Sequence, residues 1–210
     1  MPGMRKNRLP KILVLVLLLF SCDKYEVSYV LDDFIQAGQT EGNGIAYTDL
    51  VPDINCTIVD PWVKTDTIID LDLNNDGVDD FSIKRTMCHP SMLGGDCEDV
   101  IFIPLLNNEI CVNPETGWLD TLSYHDSIND NNNWTNNEAM IYSFYWVIEY
   151  EPSTEGYWQN VKEINKNFIG VKIIKEEREF FGWIGMKSDT IFRSYDFYLT
   201  DYAILKEYPE

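Results

Sequence analysis

The residues whose side chains are best suited to chemistry form one short acidic stretch. Residues 72–80 read Asp-Leu-Asn-Asn-Asp-Gly-Val-Asp-Asp, so oxygen-bearing side chains stand at the first, third, fifth and ninth places and glycine at the sixth. Ca²⁺ takes about six to eight oxygen ligands at roughly 2.3–2.6 Å, and glycine permits the sharp turn that such a loop needs. The spacing therefore predicts a calcium loop with four side-chain ligands and one backbone carbonyl, from Asp72, Asn74, Asp76, Val78 and Asp80.

The flanks of the loop indicate which kind of calcium loop it is. An EF-hand carries a glutamate at the twelfth place, where this chain has Ile83. Apolar and polar residues alternate on the N-terminal side, from Ile69 to Leu73, as they do in a half-buried strand. The loop resembles the Asp-x-Asp-x-Asp-Gly-x-x-Asp calcium loops that join two β-strands in integrin-like repeats and in many exported bacterial proteins. The alternative is a hydrated acidic hairpin turn without metal.

The elements that must position this loop are strands. Short runs rich in β-branched and aromatic residues recur along the chain, and no long stretch shows helical periodicity. Without residues 1–21 the chain has 189 residues, which suits one domain, and the 45% apolar content of the sequence is enough for one hydrophobic core. We therefore predict an all-β fold, an antiparallel β-sandwich formed by residues 43–210 as a single domain. The predicted strands lie at 57–59, 65–73, 81–85, 100–105, 109–112, 141–150, 168–174, 179–186 and 190–199.

The N-terminus has the charge order of a secretory signal. Four basic residues and no acid precede an apolar run from Ile12 to Phe20 that is too short to span a membrane, which needs about 20 residues. Ser21 and Cys22 follow, and Leu-Phe-Ser-Cys resembles the lipobox of bacterial lipoproteins. This resemblance implies a signal peptide over 1–21, an acylated Cys22 and a lipidated tether over 22–42. Ordinary cleavage with a free cysteine and an uncleaved anchor are the alternatives.

The net charge of the chain indicates which partners to expect, and the predicted anchor indicates its location. Removal of residues 1–21 takes four positive charges from a formal net charge of −19 and leaves −23. Such a chain is repelled by nucleic acid, so no nucleic-acid partner is expected. The anchor predicts attachment at the outer membrane or cell surface. Asp23 after the acylated cysteine suggests the inner membrane under enterobacterial sorting rules, so inner-membrane anchoring stays open.

Four cysteines remain after Cys22. Outside the cytoplasm an even number indicates two disulfides, and four cysteines allow three pairings. The loop between Cys88 and Cys97 is short and contains proline and glycine, so we favour that bridge together with Cys56–Cys111. A zinc site that includes His89 is the alternative, although the chain lacks the closely spaced cysteine pairs that such sites prefer.

The wider sequence also resembles a group of exported proteins. Residues 69–83 read Ile-Asp-Leu-Asp-Leu-Asn-Asn-Asp-Gly-Val-Asp-Asp-Phe-Ser-Ile, and Phe-Ile-Gly-Val at 168–171 and Phe-Gly-Trp-Ile at 181–184 follow late in the chain. These blocks are similar to uncharacterised exported lipoproteins of the Bacteroidetes type that pair a calcium turn with a Gly-Trp-Ile strand. The resemblance covers about residues 43–205. It implies location and fold, and it implies no activity.

The sequence favours a non-catalytic role. His125, Asp126 and Ser127 are adjacent, and neighbours on a strand point to opposite faces, which argues against a catalytic triad. The chain has no nucleophile elbow, zinc-protease motif or phosphate loop. We therefore predict a calcium-stabilised structural or interaction module of the cell envelope whose partner is an envelope protein or a glycan. A hydrolase is the least favoured alternative.

A surface glycan-binding module is the main alternative function. Exposed aromatic rings stack on sugars, and one tryptophan lies at the centre of an Asn-rich polar segment at 129–137. The candidate platform consists of Trp134, Trp118 and Trp158. The competing interpretation is that tryptophans pack in the core or at the bases of loops.

Overall fold

The computed structural model describes residues 34–56, 66–88, 95–147, 153–155, 166–191 and 194–206. The predicted signal peptide, Cys22, His89 and Trp158 lie outside these ranges. Within them the chain forms strands and no helix. The strands are β1 (Ile35–Gln36), β2 (Ile45–Asn55), β3 (Thr67–Leu71), β4 (Phe81–Cys88), β5 (Gly95–Pro104), β6 (Glu109–Cys111), β7 (Ser127–Ile128), β8 (Trp134–Thr135), β9 (Ala139–Val147), β10 (Ser153–Glu155), β11 (Asn167–Lys175), β12 (Arg178–Ile191) and β13 (Ser194–Leu205).

Two antiparallel sheets enclose the main core. The first has the order β10-β9-β5-β4-β3, and the second has the order β2-β13-β12-β11-β6-β8. Their facing surfaces share one apolar cluster, to which Phe81 and Phe102 come from the first sheet and Val171, Ile184 and Ile204 from the second. This arrangement confirms the prediction of an all-β antiparallel fold, and the two facing sheets are sandwich-like.

A second, smaller core covers the outer face of the six-stranded sheet. β1 pairs with β7 in a separate two-stranded sheet, and this pair lies over β11 and β12. Trp183 is fully buried in this cluster, and its indole N–H donates to the carbonyl of Gln39 at 3.1 Å. Because both faces of β11 are covered, Phe168 to Ile173 is buried without a break.

The folded domain begins earlier in the chain than the predicted boundary at residue 43. Ile35 and Ala37 have no exposed surface and belong to the second core. The N–H of Ala37 donates to the carbonyl of Asp126 at 2.8 Å. Residues 35–37, predicted to lie in the tether, are therefore part of the domain.

The cysteines only partly follow the predicted pairing. Cys56 and Cys111 are buried free thiols, so the predicted bridge between them is wrong. Cys56 directly follows β2 and Cys111 ends β6, four strand positions away in the same sheet. At roughly 4.8 Å per strand their separation is about 19 Å, whereas a disulfide needs Cα atoms about 4.4–6.8 Å apart. Cys97 is disulfide-bonded, and its register partner across β4 and β5 is Cys88.

Candidate functional site

The predicted calcium loop connects β3 and β4 as the tip of a hairpin. Leu71 and Phe81 are the last paired residues, and the N–H of Asp80 donates to the carbonyl of Leu71 at 2.8 Å. Within the loop, Asn75 has φ of 60° and Gly77 has φ of 85°. Asparagine and glycine tolerate this left-handed region best, so the local sequence matches the turn that it forms.

Side-chain oxygens organise the exposed side of the loop. One carboxylate oxygen of Asp72 accepts the N–H of Asp76 at 3.2 Å, and the other accepts the N–H of Gly77 at 2.8 Å. Asn74 Oδ1 accepts the N–H of Asp76 at 2.9 Å, and Asp76 Oδ1 accepts that of Val78 at 3.0 Å. The side chains at the first, third and fifth places therefore wrap the loop backbone.

The carboxylate at the ninth place of the loop points into the protein. Asp80 is 3% exposed and accepts four hydrogen bonds from protein donors. Its Oδ2 accepts the backbone N–H of Leu73 at 2.9 Å and that of Asn74 at 3.3 Å. Its Oδ1 accepts the side-chain amide of Asn74 at 3.2 Å and that of Asn108 at 3.3 Å. Burial of this carboxyl raises its pKa above the ordinary value, and the hydrogen bonds oppose that shift.

Asn108 connects the loop to the opposite sheet. This side chain is 1% exposed, and its amide N–H also donates to the carbonyl of Asp80 at 3.1 Å. Its Oδ1 accepts the N–H of Ile174, on β11, at 2.9 Å. Sequence reasoning missed Asn108, because an asparagine pair after a strand indicates a turn and does not indicate a partner 66 residues away.

A lysine from the β11–β12 hairpin reaches the exposed side of the loop. Lys175 Nζ lies 3.0 Å from Asp76 Oδ2. The hydrogen bond from this ammonium is the largest cause of a lowered pKa of the Asp76 carboxyl. The hairpin tip continues through Glu176 and Glu177, both at positive φ. Lys175 therefore brings a positive charge to one of the carboxylates predicted to bind calcium.

The donor types in this loop suit Ca²⁺, but their arrangement is not that of a closed site. Asp72, Asn74 and Asp76 present oxygens on the exposed side, and the carbonyl of Val78 follows in the same loop. Asp80 faces the interior. Among the described residues, no three or more His, Cys, Asp or Glu side chains lie close enough together to hold one metal ion. A cation at this loop would compete with Lys175 for Asp76 and with the hydrogen bonds that the loop side chains make.

Two tryptophans of the predicted aromatic platform, Trp134 and Trp118, lie within the described residues, and Trp158 lies outside them. Trp134 is half-buried on β8, its indole N–H donates to the carbonyl of Asn129 at 3.0 Å, and its ring packs on Phe181 at 5.8 Å. The ammonium of Lys172 lies 5.0 Å from the centre of the same ring. Trp118 is half-buried in the turn after β6. Trp134 thus supports the packing of the six-stranded sheet.

The described side-chain contacts of His125 and Asp126 are with residues outside the His-Asp-Ser triplet. The ring of His125 packs against Tyr124 in a tilted geometry, with centroids 3.9 Å apart, and its Nδ1 lies 3.3 Å from the side-chain oxygen of Gln36. The carboxylate of Asp126 accepts the N–H of Ser123 at 2.7 Å. These contacts hold the β1–β7 sheet in place, so they are structural.

Comparison of this chain with protein-family models, with curated proteins and with solved structures finds no match. In the described part of the chain, no helix is long and apolar enough to cross a membrane.

Proposed function

We propose that this chain is a lipoprotein of the cell envelope, anchored through an acylated Cys22, and that its β-sandwich is a structural or interaction module stabilised by Ca²⁺. The short basic and apolar N-terminus with its lipobox-like end supports the anchor. The high negative charge supports cation binding and argues against a nucleic-acid partner. The proposed location is the outer membrane or the cell surface, and the proposed partner is an envelope protein or a glycan.

The observation that carries the calcium proposal is the connection from the loop to both sheets. Asp80 ends the loop at β4, and Asn108 connects it to Ile174 on β11. Asp72, Asn74 and Asp76, with the carbonyl of Val78, would supply oxygens to the ion, and Asp80 would join them after a change in its side-chain position. The ion would supply positive charge that offsets repulsion among the loop carboxylates. Its binding energy would thereby stabilise the contact between the sheets.

The test is a comparison of melting temperatures on the chain from residue 23 to residue 210, purified under oxidising conditions. Calcium at 100 times its Kd stabilises a protein by about 2.7 kcal/mol, which is roughly 5–10 °C for a domain of this size. We expect this rise with Ca²⁺ and a smaller one with Mg²⁺, and none with chelator.

The variant Asp72→Ala should lose the calcium-dependent rise, measured within each protein, whereas Asp79→Ala should keep it. Asp79 is an exposed neighbour that occupies no ligand place of the loop, so it controls for the loss of one negative charge. An equal response to calcium in both variants, or no response in the wild type, contradicts the calcium site.

The anchor is tested separately in a bacterial host that acylates lipoproteins. The full chain should take up labelled palmitate and partition into detergent, and Cys22→Ser should do neither. Labelling of the serine variant, or an unlabelled wild type, contradicts the proposed anchor. A glycan array probed with the calcium-loaded domain then distinguishes a glycan partner from a protein partner.

A further inference from the structure

Two exposed tyrosine rings border the second core, on the outer face of the six-stranded sheet. Tyr124 is 61% exposed and Tyr47 is 40% exposed. The ring centre of Tyr124 lies 6.3 Å from that of Phe168, and the ring centre of Tyr47 lies 6.1 Å from that of Trp183. Phe168 and Trp183 meet edge to face at 5.2 Å. These four residues therefore form a continuous aromatic row with a tyrosine at each end.

The aromatic row crosses the sheet, and only its ends reach the surface. Tyr47 lies on β2, Trp183 on β12 and Phe168 on β11, so the row extends over three strand spacings, about 14 Å at roughly 4.8 Å each. Phe168 and Trp183 are 3% and 0% exposed, respectively. A ligand that touches both exposed rings must therefore be longer than a single sugar ring.

The protein holds both exposed rings in place. Tyr124 packs against Gly38, which has φ of 79°, and a Cβ added to this glycine would lie 2.4 Å from the tyrosine ring. The hydroxyl of Tyr47 donates to the buried carboxylate of Asp201 at 3.2 Å. Tyrosine rings fixed in this way lose little conformational entropy when a ligand stacks on them. The two ends of the row are thus preformed for binding.

Polar groups lie beside each exposed ring. The imidazole of His125 packs against Tyr124 with ring centres 3.9 Å apart. The exposed Asp49 stands two positions after Tyr47 on β2, so both side chains lie on the same face. Burial raises the pKa of the Tyr47 hydroxyl, and the charges of Asp201 and Asp49 raise it further, so this group stays neutral. Each end therefore combines an aromatic ring with hydrogen-bonding groups.

A lysine–carboxylate pair covers the middle of the row. Lys166 Nζ forms an ion pair with Asp201 and lies 5.4 Å from the ring centres of both Phe168 and Trp183. The surface thus presents two separate rings with polar groups, and the apolar rings between them are covered. Protein-binding sites are typically contiguous apolar patches with a polar rim. This surface therefore fits a protein partner poorly.

The charge of the chain also restricts the ligand. With 35 acidic and 16 basic residues, the protein repels anionic polymers. A neutral oligosaccharide meets no such repulsion. The C–H faces of its sugar rings stack on aromatic rings, and its hydroxyls form hydrogen bonds with carboxylate and imidazole groups placed beside them.

We propose that the aromatic row binds a neutral oligosaccharide, with one sugar unit stacked on Tyr124 and another on Tyr47. Hydrogen bonds from the sugar hydroxyls to Asp49 and His125 orient the chain. This inference rests on the glycan partner in the proposed function, and it uses neither the calcium loop nor the anchor.

Cellohexaose, an extended neutral chain of glucose units, is the first probe. Binding to the 23–210 chain is followed by calorimetry and NMR, with maltohexaose and mannohexaose as further neutral probes. We expect a Kd of about 1 mM or lower and shifts of the amides of Gly38 and Thr48, one near each end of the row. Cellobiose is too short to touch both rings and should bind about tenfold more weakly, the loss of one stacked ring. An anionic galacturonate oligomer should also bind more weakly.

Substitutions at the two ends test the stacking directly. Tyr124→Leu and Tyr47→Leu should each weaken binding by about tenfold. Tyr124→Phe keeps the ring and should bind like the wild type, so a difference between Phe and Leu at this exposed position reports the ring itself. Ile68→Ala is the matched control, because it removes an exposed apolar side chain from the other sheet. Its affinity should equal that of the wild type.

The outcomes separate this site from the proposed function. Binding that is unchanged in both leucine variants, or amide shifts confined to the surroundings of Trp134, overturns the aromatic row and keeps a glycan partner at another site. No binding of any of the three neutral probes overturns both the row and the glycan partner. Tighter binding of the anionic oligomer contradicts the neutral ligand. The calcium and palmitate tests involve none of these residues, so their results stand separately.

Discussion

Replacement of Asp80 by asparagine changes a buried carboxylate that accepts hydrogen bonds from the loop and from Asn108, which in turn contacts the opposite sheet. The substitution keeps the shape of the side chain and one acceptor oxygen. That oxygen still faces the backbone N–H groups of Leu73 and Asn74. The new amide nitrogen replaces the oxygen that accepts the side-chain amides of Asn74 and Asn108. The side-chain amide N–H groups of Asn74 and Asn108 then face the amide N–H group of the new asparagine, and both lose their acceptor.

Neither Asn74 nor Asn108 can flip its side-chain amide without losing another hydrogen bond. The Oδ1 of Asn74 accepts the N–H of Asp76, and the Oδ1 of Asn108 accepts the N–H of Ile174. A rotated amide would leave one of those backbone groups without its acceptor. Each lost hydrogen bond costs about 1–1.5 kcal/mol, so we expect Asp80→Asn to lower the free energy of unfolding by roughly 2–3 kcal/mol.

The assay is urea unfolding in the presence of chelator, which removes any contribution from metal. The midpoint should fall while the m-value stays the same, because the surface exposed on unfolding is unchanged. Asp79→Asn, an exposed neighbour with the same change in charge, should stay within about 0.5 kcal/mol of the wild type. A decrease below about 0.5 kcal/mol in the free energy of unfolding of Asp80→Asn would refute the stabilising role of this carboxylate.

The difference in unfolding free energy between the wild type and Asp80→Asn should change with pH in one direction. Burial raises the pKa of the Asp80 carboxyl in the folded state above its ordinary value. The native state then binds more protons than the unfolded state just above pH 3.8, so ionisation of Asp80 costs stability as the pH rises through its folded pKa. As the pH falls through that window, the wild type should gain stability relative to Asp80→Asn. A gap that narrows on acidification contradicts this assignment.

Three further predictions concern other buried groups. Arg85→Met should destabilise by about 3–5 kcal/mol in urea unfolding, because Glu98, its ion-pair partner, stays buried; a loss below about 1 kcal/mol argues against the pair. Gly182→Ala should cost about 1–3 kcal/mol in thermal unfolding, because its Cβ would lie 2.6 Å from a backbone oxygen of β13, and an unchanged melting temperature contradicts this crowding. In the 23–210 chain, a thiol reagent at pH 8 should react with Cys56 and Cys111 only after unfolding, because burial raises the thiol pKa to about 12 and about 11 respectively. No reactive thiol after unfolding would restore the predicted disulfide between them.

Sequence patterns identified most strands but missed the longest edge strand, β2. Residues 45–55 contain Pro52, which reads as a strand breaker because proline has no N–H to donate. The strand lies at the edge of the six-stranded sheet, where one side of the backbone has no partner strand in that sheet. Its register against β13 also shifts between Asp49 and Ile54, so the proline lies where the regular pairing is interrupted.

The sequence placed the boundary between tether and domain too late in the chain for a related reason. Ile35 and Ala37 are two apolar residues followed by a polar stretch, and they form no alternating pattern long enough to indicate a strand. They are buried only because β7, more than 90 residues later, pairs with β1 and closes the second core over the six-stranded sheet.

The sequence by itself determined the all-β character of this protein and the place of its acidic loop. Alternation of apolar residues, turn residues such as Gly77, and the spacing of Asp72, Asn74 and Asp76 are local properties, and local backbone preferences follow from them. The same residues hold the loop backbone through hydrogen bonds no more than five residues apart.

Only the tertiary structure decided which groups meet around that loop. The inward direction of Asp80, its contact with Asn108, the approach of Lys175 and the separation of the free cysteines all depend on strand order. Strand order is set by burial of apolar surface between the two sheets, and that burial depends on pairings between residues far apart in the chain. A single sequence contains no local signal for such pairings, so the buried contacts of Asp80 form only once the sheets are assembled.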